Sequence, residues 1–189
     1  MKLIEFEDLP ATPWKNGGGV TRELYCQPPG ASFDNFLWRV SIADVSQSGA
    51  FSSFAGVDRV ITLLEGDGMD LVSDSGNHVL LSHLQPHRFR GEDKIDAQLE
   101  GGACRDFNLM LRRGAAAGEV QVWSVDQDLE QGCNLLFCVQ GRWDVLTQDG
   151  EHATLAPRQS LAWDDRPGKM ALRSLSAGSV LIGVNVNLK

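Results

Sequence analysis

The chain reads VITLLEGDGMDLVSDSGNHVLL over residues 60–81, and this stretch decides the fold. Residues 60–64 are an apolar run of strand length, and the glycine-rich residues 65–68 that follow are a turn signal. Residues 69–72 and 78–81 form two more short strands across a second turn at 73–77. Short strands joined by tight turns predict antiparallel β-structure.

The same order of elements recurs in the second half of the chain. Leu64-Glu65-Gly66, Asp70-Leu71 and Leu84-Gln85-Pro86 are echoed by Val139-Gln140-Gly141, Asp144-Val145 and Leu155-Ala156-Pro157. Each half reads strand, glycine turn, strand, acidic glycine turn, strand, Leu-x-Pro, strand. This order resembles the cupin half-barrel, a double-stranded β-helix. Its repetition predicts an all-β bicupin barrel, and the small residues 114–118 divide it into an N-terminal barrel at 1–117 and a smaller C-terminal barrel at 118–189.

Composition narrows the class of protein. The 189 residues are 42% hydrophobic and 22% charged, with a net charge of -8, which is ordinary for a globular protein. The acidic balance argues against nucleic acid and against an anionic membrane surface as partners. The acidic N-terminus does not resemble a signal peptide, and no run is long enough to span a membrane. The four cysteines form no spaced framework, so we expect a cytoplasmic protein with reduced thiols.

The sequence contains no motif typical of a cupin metal site or of a catalytic nucleophile. Cupin metal sites use His-x-His followed by Glu and a later His, and no histidine closely follows Gly66 or Gly141. His78 and His152 stand alone beside turns. Since no Gly-x-Ser-x-Gly elbow is present either, we expect no metal, no cofactor and no catalytic nucleophile.

Three consecutive glycines lie in the stretch Trp14-Lys15-Asn16-Gly17-Gly18-Gly19-Val20-Thr21-Arg22-Glu23. Consecutive glycines cost conformational entropy, so they indicate a sharp turn or a close approach to the backbone. We interpret this stretch as the centre of a small-molecule site, with Lys15 and Asn16 as ligand-binding residues. The alternative, a purely structural turn between strands, stays open.

Two predicted strands each carry a polar face. Arg39 and Ser41 share one face of residues 36–43, and Asp106 and Asn108 share one face of residues 106–112. Such a face usually meets solvent, but in a small barrel it can line a pocket. Arg39 is the first choice to clamp a carboxylate, and Asn108 would orient an amide or an imidazole. Arg59 and Lys15 are further candidate cations.

A loop at residues 48–56 carries two phenylalanines, Phe51 and Phe54. They would cover the pocket with apolar rings, or simply plug the end of the barrel.

Four blocks of sequence identify the chain as similar to the HutD/Ves family. The blocks are Trp14-Lys15-Asn16-Gly17-Gly18-Gly19-x-Thr21-Arg22-Glu23, Trp38-Arg39-x-Ser41-x-Ala43, Gly49-x-Phe51-Ser52-x-Phe54-x-Gly56-x-x-Arg59 and Asp106-Phe107-Asn108-x-Met110-x-Arg112-Arg113. The resemblance implies a bicupin without a metal triad, associated with bacterial histidine utilisation as a moderator of the pathway. It implies small carboxylate ligands such as urocanate or N-formylglutamate. The sequence does not separate the HutD branch from the Ves branch.

The leading hypothesis is a non-catalytic protein that binds a small carboxylate and modulates histidine utilisation. Its pocket would use Lys15, Asn16, Arg39, Ser41, Phe51, Phe54, Arg59, Asp106 and Asn108. One alternative is a metal-independent enzyme acting on a small amide or carboxylate, with Asp106 as general base and Lys15 or Arg39 stabilising an oxyanion. A second alternative is an interaction module whose turns serve only folding. A homodimer through an exposed strand face is compatible with each.

Overall fold

A computed structural model describes residues 1–189, which form β-strands, one 3₁₀ turn and no α-helix. In the first half the strands are β1 (Lys2–Glu5), β2 (Thr12–Pro13), β3 (Gly19–Gln27), β4 (Trp38–Val45), β5 (Gly49–Ala50), β6 (Val57–Glu65), β7 (Met69–Ser73), β8 (His78–Leu81), β9 (His87–Arg90), β10 (Ile95–Leu99) and β11 (Cys104–Arg112). They continue as β12 (Ala116–Trp123), β13 (Gln127–Leu129), β14 (Leu135–Gln140), β15 (Trp143–Thr147), β16 (His152–Leu155), β17 (Gln159–Ala162), β18 (Met170–Ser174) and β19 (Val180–Leu188). The 3₁₀ turn is Phe6–Asp8. The predicted all-β class is confirmed.

The strands group into two compact units. The N-terminal unit comprises residues 10–117 with 188–189, and the C-terminal unit comprises residues 1–9 and 118–187. The sequence analysis assigned all of residues 1–117 to the first barrel, whereas the structure places the first nine in the other unit. The cause is strand pairing, because β1 runs antiparallel to β17, with Leu3 opposite Leu161, and buries Ile4.

Each unit consists of two antiparallel sheets with the same internal order. The N-terminal unit has a six-stranded sheet, β2-β3-β4-β11-β6-β9, and a four-stranded sheet, β5-β10-β7-β8. The C-terminal unit has the orders β1-β17-β14-β19-β12 and β13-β18-β15-β16. Thus β4-β11-β6-β9 corresponds to β12-β19-β14-β17, strand for strand. Because the two sheets of a unit stay separate, each unit is an open jelly roll rather than the closed barrel that the sequence suggested.

Backbone geometry sets the register of the repeat and corrects one detail of the predicted echo. The N–H of Leu84 donates to the carbonyl of Leu63 at 2.9 Å, and the N–H of Arg158 donates to the carbonyl of Cys138 at 2.8 Å. Both donor residues have positive φ angles, 61° and 67°. Leu84 therefore corresponds to Arg158 and not to Leu155, so the two Leu-x-Pro motifs are offset by three residues.

A second pair of side chains obeys the same repeat. His78 Nδ1 lies 2.6 Å from a carboxylate oxygen of Asp70 in the first half, and His152 Nε2 lies 2.7 Å from Asp144 in the second. These histidines do not stand alone, as the sequence analysis had them. Each histidine bridges the two strands of a hairpin on the exposed side of a four-stranded sheet. The residue opposite each histidine lies two positions from the aspartate on the neighbouring strand, so the two side chains are diagonal neighbours on one face.

The core of each unit lies between its two sheets. In the N-terminal unit the buried side chains include Ala43, Ile61, Leu63, Met69, Leu71, Leu81, Ile95, Ala97 and Cys104. In the C-terminal unit they include Cys133, Leu136, Cys138, Trp143, Val145, Leu155, Leu161, Trp163, Met170, Leu172 and Leu181. All four cysteines of the chain are free and buried. The apolar positions predicted for β4 and β11 are buried as well, with Val40 and Leu109 fully covered, but they lie on the side of the sheet opposite to this core.

Candidate functional site

Three neighbouring strands bring polar side chains to the inner face of the six-stranded sheet. Ser41 on β4 lies opposite Asn108 on β11, while Arg39 lies opposite Met110, which lies opposite Arg59 on β6. Partners that lie directly opposite in an antiparallel sheet project to the same face. The residues of the predicted site that share this inner face are Arg39, Ser41, Arg59, Asp106 and Asn108.

Arg59 is a buried cation, with only 7% of the residue exposed. Its Nη2 donates a hydrogen bond to Oδ1 of Asn108 at 2.7 Å, and its Nε–H has no hydrogen-bond partner. A buried donor without an acceptor costs about 1–3 kcal/mol, and Nε1 of Trp143 in the C-terminal unit is another such donor. Although burial lowers the pKa of Arg59 to about 10, the guanidinium stays charged at neutral pH.

Asn108 joins Arg59 to a buried acid. The Nδ2 of Asn108 donates to Oδ1 of Asp106, and Asp106 is 1% exposed while Asn108 is 6% exposed. Burial raises the pKa of Asp106 to about 7, Arg59 opposes the rise, and the carboxylate of Asp44 adds to it. We call Arg59, Asn108 and Asp106 the Arg59 cluster.

Aromatic rings surround the guanidinium of Arg59. Its Cζ lies 5.1 Å from the ring centroid of Phe51, 5.8 Å from that of Phe54 and 4.8 Å from that of Phe89. These cation–π contacts offset part of the cost of burying the charge. Phe51 and Phe54 therefore lie beside the cluster, and their covering of a pocket stays a prediction. The sequence analysis missed Phe89, although the alternation of rings and arginines in His87-Arg88-Phe89-Arg90 is a strand signal that could have found it.

Arg39 lies on the same face but is already paired. Its Nε donates to a carboxylate oxygen of Glu23 at 2.6 Å, and its Nη1 contacts the hydroxyl of Ser41 at 3.3 Å. Its Cζ lies 5.0 Å from the ring of Phe33, which is itself half exposed. The residue chosen first as a carboxylate clamp thus has an acid of its own, Glu23, which the sequence analysis did not include. The unpartnered donor belongs to Arg59 instead.

The triple glycine forms the turn between β2 and β3. Lys15 and Asn16 are exposed there, and Oδ1 of Asn16 accepts a hydrogen bond from the N–H of Gly18 at 3.0 Å. A Cβ on Gly19 would lie 2.5 Å from the backbone oxygen of Asp44, so this position requires glycine for packing. Neither Lys15 nor Asn16 makes a hydrogen bond or ion pair with the Arg59 cluster.

A cavity of the N-terminal unit lies next to the cluster but is not centred on it. It has a volume of about 620 Å³ and opens between the β7–β8 hairpin and β9. Its lining includes Leu71, Val79, His87, Phe89 and Ile95, with polar side chains around the mouth. The ring of Phe89 lines this cavity and also contacts Arg59, so it separates the open space from the buried cation. The Arg59 cluster is the better candidate for the binding groups, because none of the residues that line the cavity has a buried donor without a partner. The cavity is open space next to the cluster.

The C-terminal unit shows what the same fold builds without this cluster. Asp106 lies opposite Leu63, and in the repeat Leu181 lies opposite Cys138. Asn108 corresponds in the same way to Gly183, two positions further along the strand. The acid and the amide are thus replaced by an aliphatic residue and a glycine.

The space beside Gly183 in the C-terminal unit is filled by an indole. A Cβ on Gly183 would overlap the ring of Trp123, which packs against the apolar core of that unit. Trp163 takes the place of Phe89 in the repeat, because Trp163 follows Arg158 by five residues and Phe89 follows Leu84 by five residues. The C-terminal unit therefore folds without the acid and the amide, while a buried polar residue, Asn134, stands at the position of Arg59.

No group of three or more His, Cys, Asp or Glu side chains is placed to hold a metal ion. None of the elements is a helix with the length and hydropathy needed to cross a bilayer.

Comparison with known proteins fixes the family. A family model described as HutD matches residues 6–182. The chain belongs to the HutD family. A 21.2 kDa uncharacterised protein in the hutC 3′ region of Pseudomonas putida is 46% identical over 110 residues, which are 58% of this chain and 57% of that protein. Protein Ves of Escherichia fergusonii is 36% identical over 197 residues, covering 99% of this chain and 94% of that protein.

Solved structures agree with this assignment. HutD from Pseudomonas fluorescens SBW25 is 31% identical, with a TM-score of 0.84 over 100% of this chain and 98% of that one. A cupin 2 conserved barrel domain protein from Leptotrichia buccalis is 10% identical, with a TM-score of 0.62 over 98% of this chain and 96% of that one. The latter likeness shows the fold alone, and the predicted cupin fold is confirmed. Membership of the HutD family also supports the expected association with histidine utilisation.

Proposed function

We propose that this HutD-family protein binds a small carboxylate at the Arg59 cluster and modulates histidine utilisation without catalysing a step. One observation carries the proposal, the buried Nε–H of Arg59 that has no acceptor in the protein. A carboxylate oxygen would supply that acceptor and would bring the opposite charge.

The surroundings of Arg59 favour an acceptor that approaches in the plane of the guanidinium. All N–H bonds of a guanidinium lie in its plane, and Phe51, Phe54 and Phe89 lie within 6 Å of its central carbon. The two oxygens of a carboxylate match two parallel N–H donors in that plane. A compact ligand with one carboxylate end therefore suits the site better than a point anion.

The contrast between the two units supports a functional reading of the cluster. Replacing buried charged groups with apolar residues is often neutral or stabilising, so a fold gains little by keeping them. The C-terminal unit has made that replacement at the positions of Asp106 and Asn108, where Leu181 and Gly183 stand. The N-terminal unit keeps the polar residues, which suits a binding role.

The family suggests which carboxylates to test. Urocanate and N-formylglutamate are intermediates of histidine breakdown, and both carry carboxylates. Asn108 would orient the imidazole of the first or the formamide of the second. The solved HutD of P. fluorescens is described in a formate condition, and formate is the smallest carboxylate. The cavity beside Phe89 would hold the rest of the ligand, with Arg39 and Ser41 at the other side of the cluster.

Isothermal titration calorimetry with N-formylglutamate and urocanate tests the proposal. We expect saturable binding by the wild-type protein and a loss of about 100-fold in Arg59→Met, because charge-assisted hydrogen bonds contribute about 3 kcal/mol. Arg59→Lys keeps the charge but not the planar fork, so its affinity should lie between the two. Arg39→Ala should weaken binding, and Arg142→Ala, an exposed arginine of the C-terminal unit, should not.

Circular dichroism spectra equal to that of the wild type would show that each variant is folded. Affinity of Arg59→Met and Arg59→Lys equal to that of the wild type would exclude Arg59 as the ligand contact. Absence of binding of either carboxylate by the wild-type protein would remove the ligand assignment.

One observation favours a second candidate function, a metal-independent enzyme. A carboxyl group with a pKa of about 7 is suited to act as a general base near neutral pH, and Asp106 is such a group. The oxyanion would then lie at Arg59, since Lys15 is exposed at a turn and Arg39 is paired with Glu23. Turnover of N-formylglutamate followed by proton NMR, lost in Asp106→Asn, would establish this role in place of simple binding.

We also infer a cytoplasmic location. The four cysteines are free and buried, which suits a reducing compartment.

A further inference from the structure

The number of charges around Asp106 restricts how an anion can bind beside it. Arg59, Asn108 and Asp106 are each more than nine-tenths buried, so solvent does little to screen them. Without a ligand the cluster balances one guanidinium against one carboxyl group. A bound carboxylate group adds a second negative charge to a space that holds one positive charge, and a dicarboxylate such as N-formylglutamate brings one more negative charge with it.

The neighbouring elements supply no further free cation to Asp106. On β4, Asp44 is an acid, and its carboxylate is shared by Arg22 and Arg105. On the inner face of the sheet, Arg39 of β4 is bound to Glu23 of β3. Other titratable groups that face the cluster are Cys104 on β11 and His87 on β9, and burial lowers the pKa of His87, which keeps it neutral at pH 7. From the four-stranded sheet, the buried residues packed against this core are apolar, namely Met69, Leu71, Leu81, Ile95 and Ala97.

The hydrogen bonds of the cluster permit Asp106 to be neutral. Asn108 accepts from Arg59 through Oδ1 and donates to Oδ1 of Asp106 through Nδ2. That oxygen of Asp106 accepts equally well as part of a carboxylate or as the carbonyl oxygen of a carboxylic acid. A proton on the other oxygen therefore leaves both hydrogen bonds in place. The cluster can change its charge without being rebuilt.

We propose that a carboxylate ligand binds at Arg59 together with one proton, which Asp106 holds in the complex. This inference rests on the proposed function and adds the regulation of the same site by pH. Burial already raises the pKa of Asp106 to about 7 in the unliganded protein, and a second carboxylate beside it raises the pKa further. The protonation of Asp106 thus sets the affinity for the anion, and the guanidinium of Arg59 sets the position at which the anion binds.

The linkage has a measurable size. If only the protonated form of Asp106 admits the ligand, the affinity is constant well below pH 7 and falls tenfold per pH unit well above it. For a pKa of about 7, the association constant should fall about tenfold between pH 6 and pH 8. Proton uptake should rise over the same range from about one tenth of a proton to about nine tenths per ligand.

Calorimetric titration with N-formylglutamate in pairs of buffers that differ in ionisation enthalpy counts the protons directly. N-formylglutamate is a suitable probe because its carboxylates stay ionised from pH 6 to pH 8. We expect Asp106→Asn to bind with no proton uptake and with an affinity that does not change over this range. Asp149→Asn, at an exposed turn of the C-terminal unit, should behave as the wild type.

Each outcome separates this inference from the proposed function. Binding by the wild-type protein without proton uptake at pH 8 overturns the proton linkage and leaves carboxylate binding intact. Uptake that persists in Asp106→Asn assigns the proton to another group and also overturns it. Absence of binding overturns both proposals. Should the asparagine variant fail to fold, Asp106→Leu takes its place, since the repeat carries leucine at that position, and the proton count on the wild-type protein is decisive by itself.

Discussion

Replacing Asp106 by asparagine should change how the stability of the unliganded protein depends on pH. Asparagine has nearly the same shape, and its Oδ1 can accept the same hydrogen bond from Asn108. It does not titrate. The substitution therefore removes the ionisation of a buried carboxyl group while leaving the packing of the cluster largely unchanged.

The size of the effect follows from the two pKa values of the acid. Burial raises the pKa of Asp106 from 3.8 to about 7 on folding. Between these values the folded chain keeps a proton that the unfolded chain has released, so the free energy of unfolding falls as the pH rises. Below the lower value and above the higher one this group contributes no slope. At about 1.4 kcal/mol per pH unit, roughly 2.5 kcal/mol of stability is lost between pH 5 and pH 8.

Urea denaturation followed by circular dichroism at pH 5, 6, 7 and 8 measures this loss as a difference between proteins. The stability of Asp106→Asn relative to the wild type should rise by about 2.5 kcal/mol from pH 5 to pH 8. Taking the difference cancels the other titrating groups, and Asp149→Asn serves as the exposed control. A relative stability that is constant within about 0.5 kcal/mol would refute the argument, since it would mean that Asp106 titrates alike in both states. Equal m-values in the two proteins are required for the comparison.

Three further results are expected. Gly19→Ala should cost about 2 kcal/mol or more in urea denaturation, because its Cβ would lie 2.5 Å from the backbone oxygen of Asp44, whereas Gly102→Ala, with open space around it, should change stability by less than about 0.5 kcal/mol. Gly183→Ala should destabilise the protein by a similar amount to Gly19→Ala, since the new methyl group would overlap an indole ring, and a neutral result would mean that the ring moves. Native protein should react with a thiol reagent only at the rate of unfolding, because all four cysteines are buried and burial raises the pKa of Cys133 to about 12.

The sequence predicts strand periodicity because the alternation of side chains is a local property of each strand. Alternation places Arg39 with Ser41, and Asp106 with Asn108, on one face of a strand whatever its partners are. The repeat of the glycine turns at Gly66 and Gly141 likewise indicated two related halves. The all-β class, the cupin fold and the two polar faces were predicted on this basis.

The pairing and register of strands that are distant in the chain could not be predicted in this way. Arg59 meets Asn108 because β6 and β11 are neighbours in register, and nothing local to either strand specifies that register. The same holds for Glu23, which pairs with Arg39 across β3 and β4, and for Phe89 on an edge strand. The conspicuous glycines placed the expected site at residues 14–23, whereas the structure has a turn at residues 14–18 followed by the start of β3.

The sequence by itself determined that this protein is a repeated β-structure with two polar strand faces and a family resemblance to HutD. Only the tertiary structure decided that the Nε–H of Arg59 is buried without an acceptor, which acid shares the burial of Arg59, and that β1 belongs to the C-terminal unit. The physical reason is that periodicity follows from the geometry of a single strand. Charge pairing, desolvation and strand order depend instead on contacts between residues far apart in the chain.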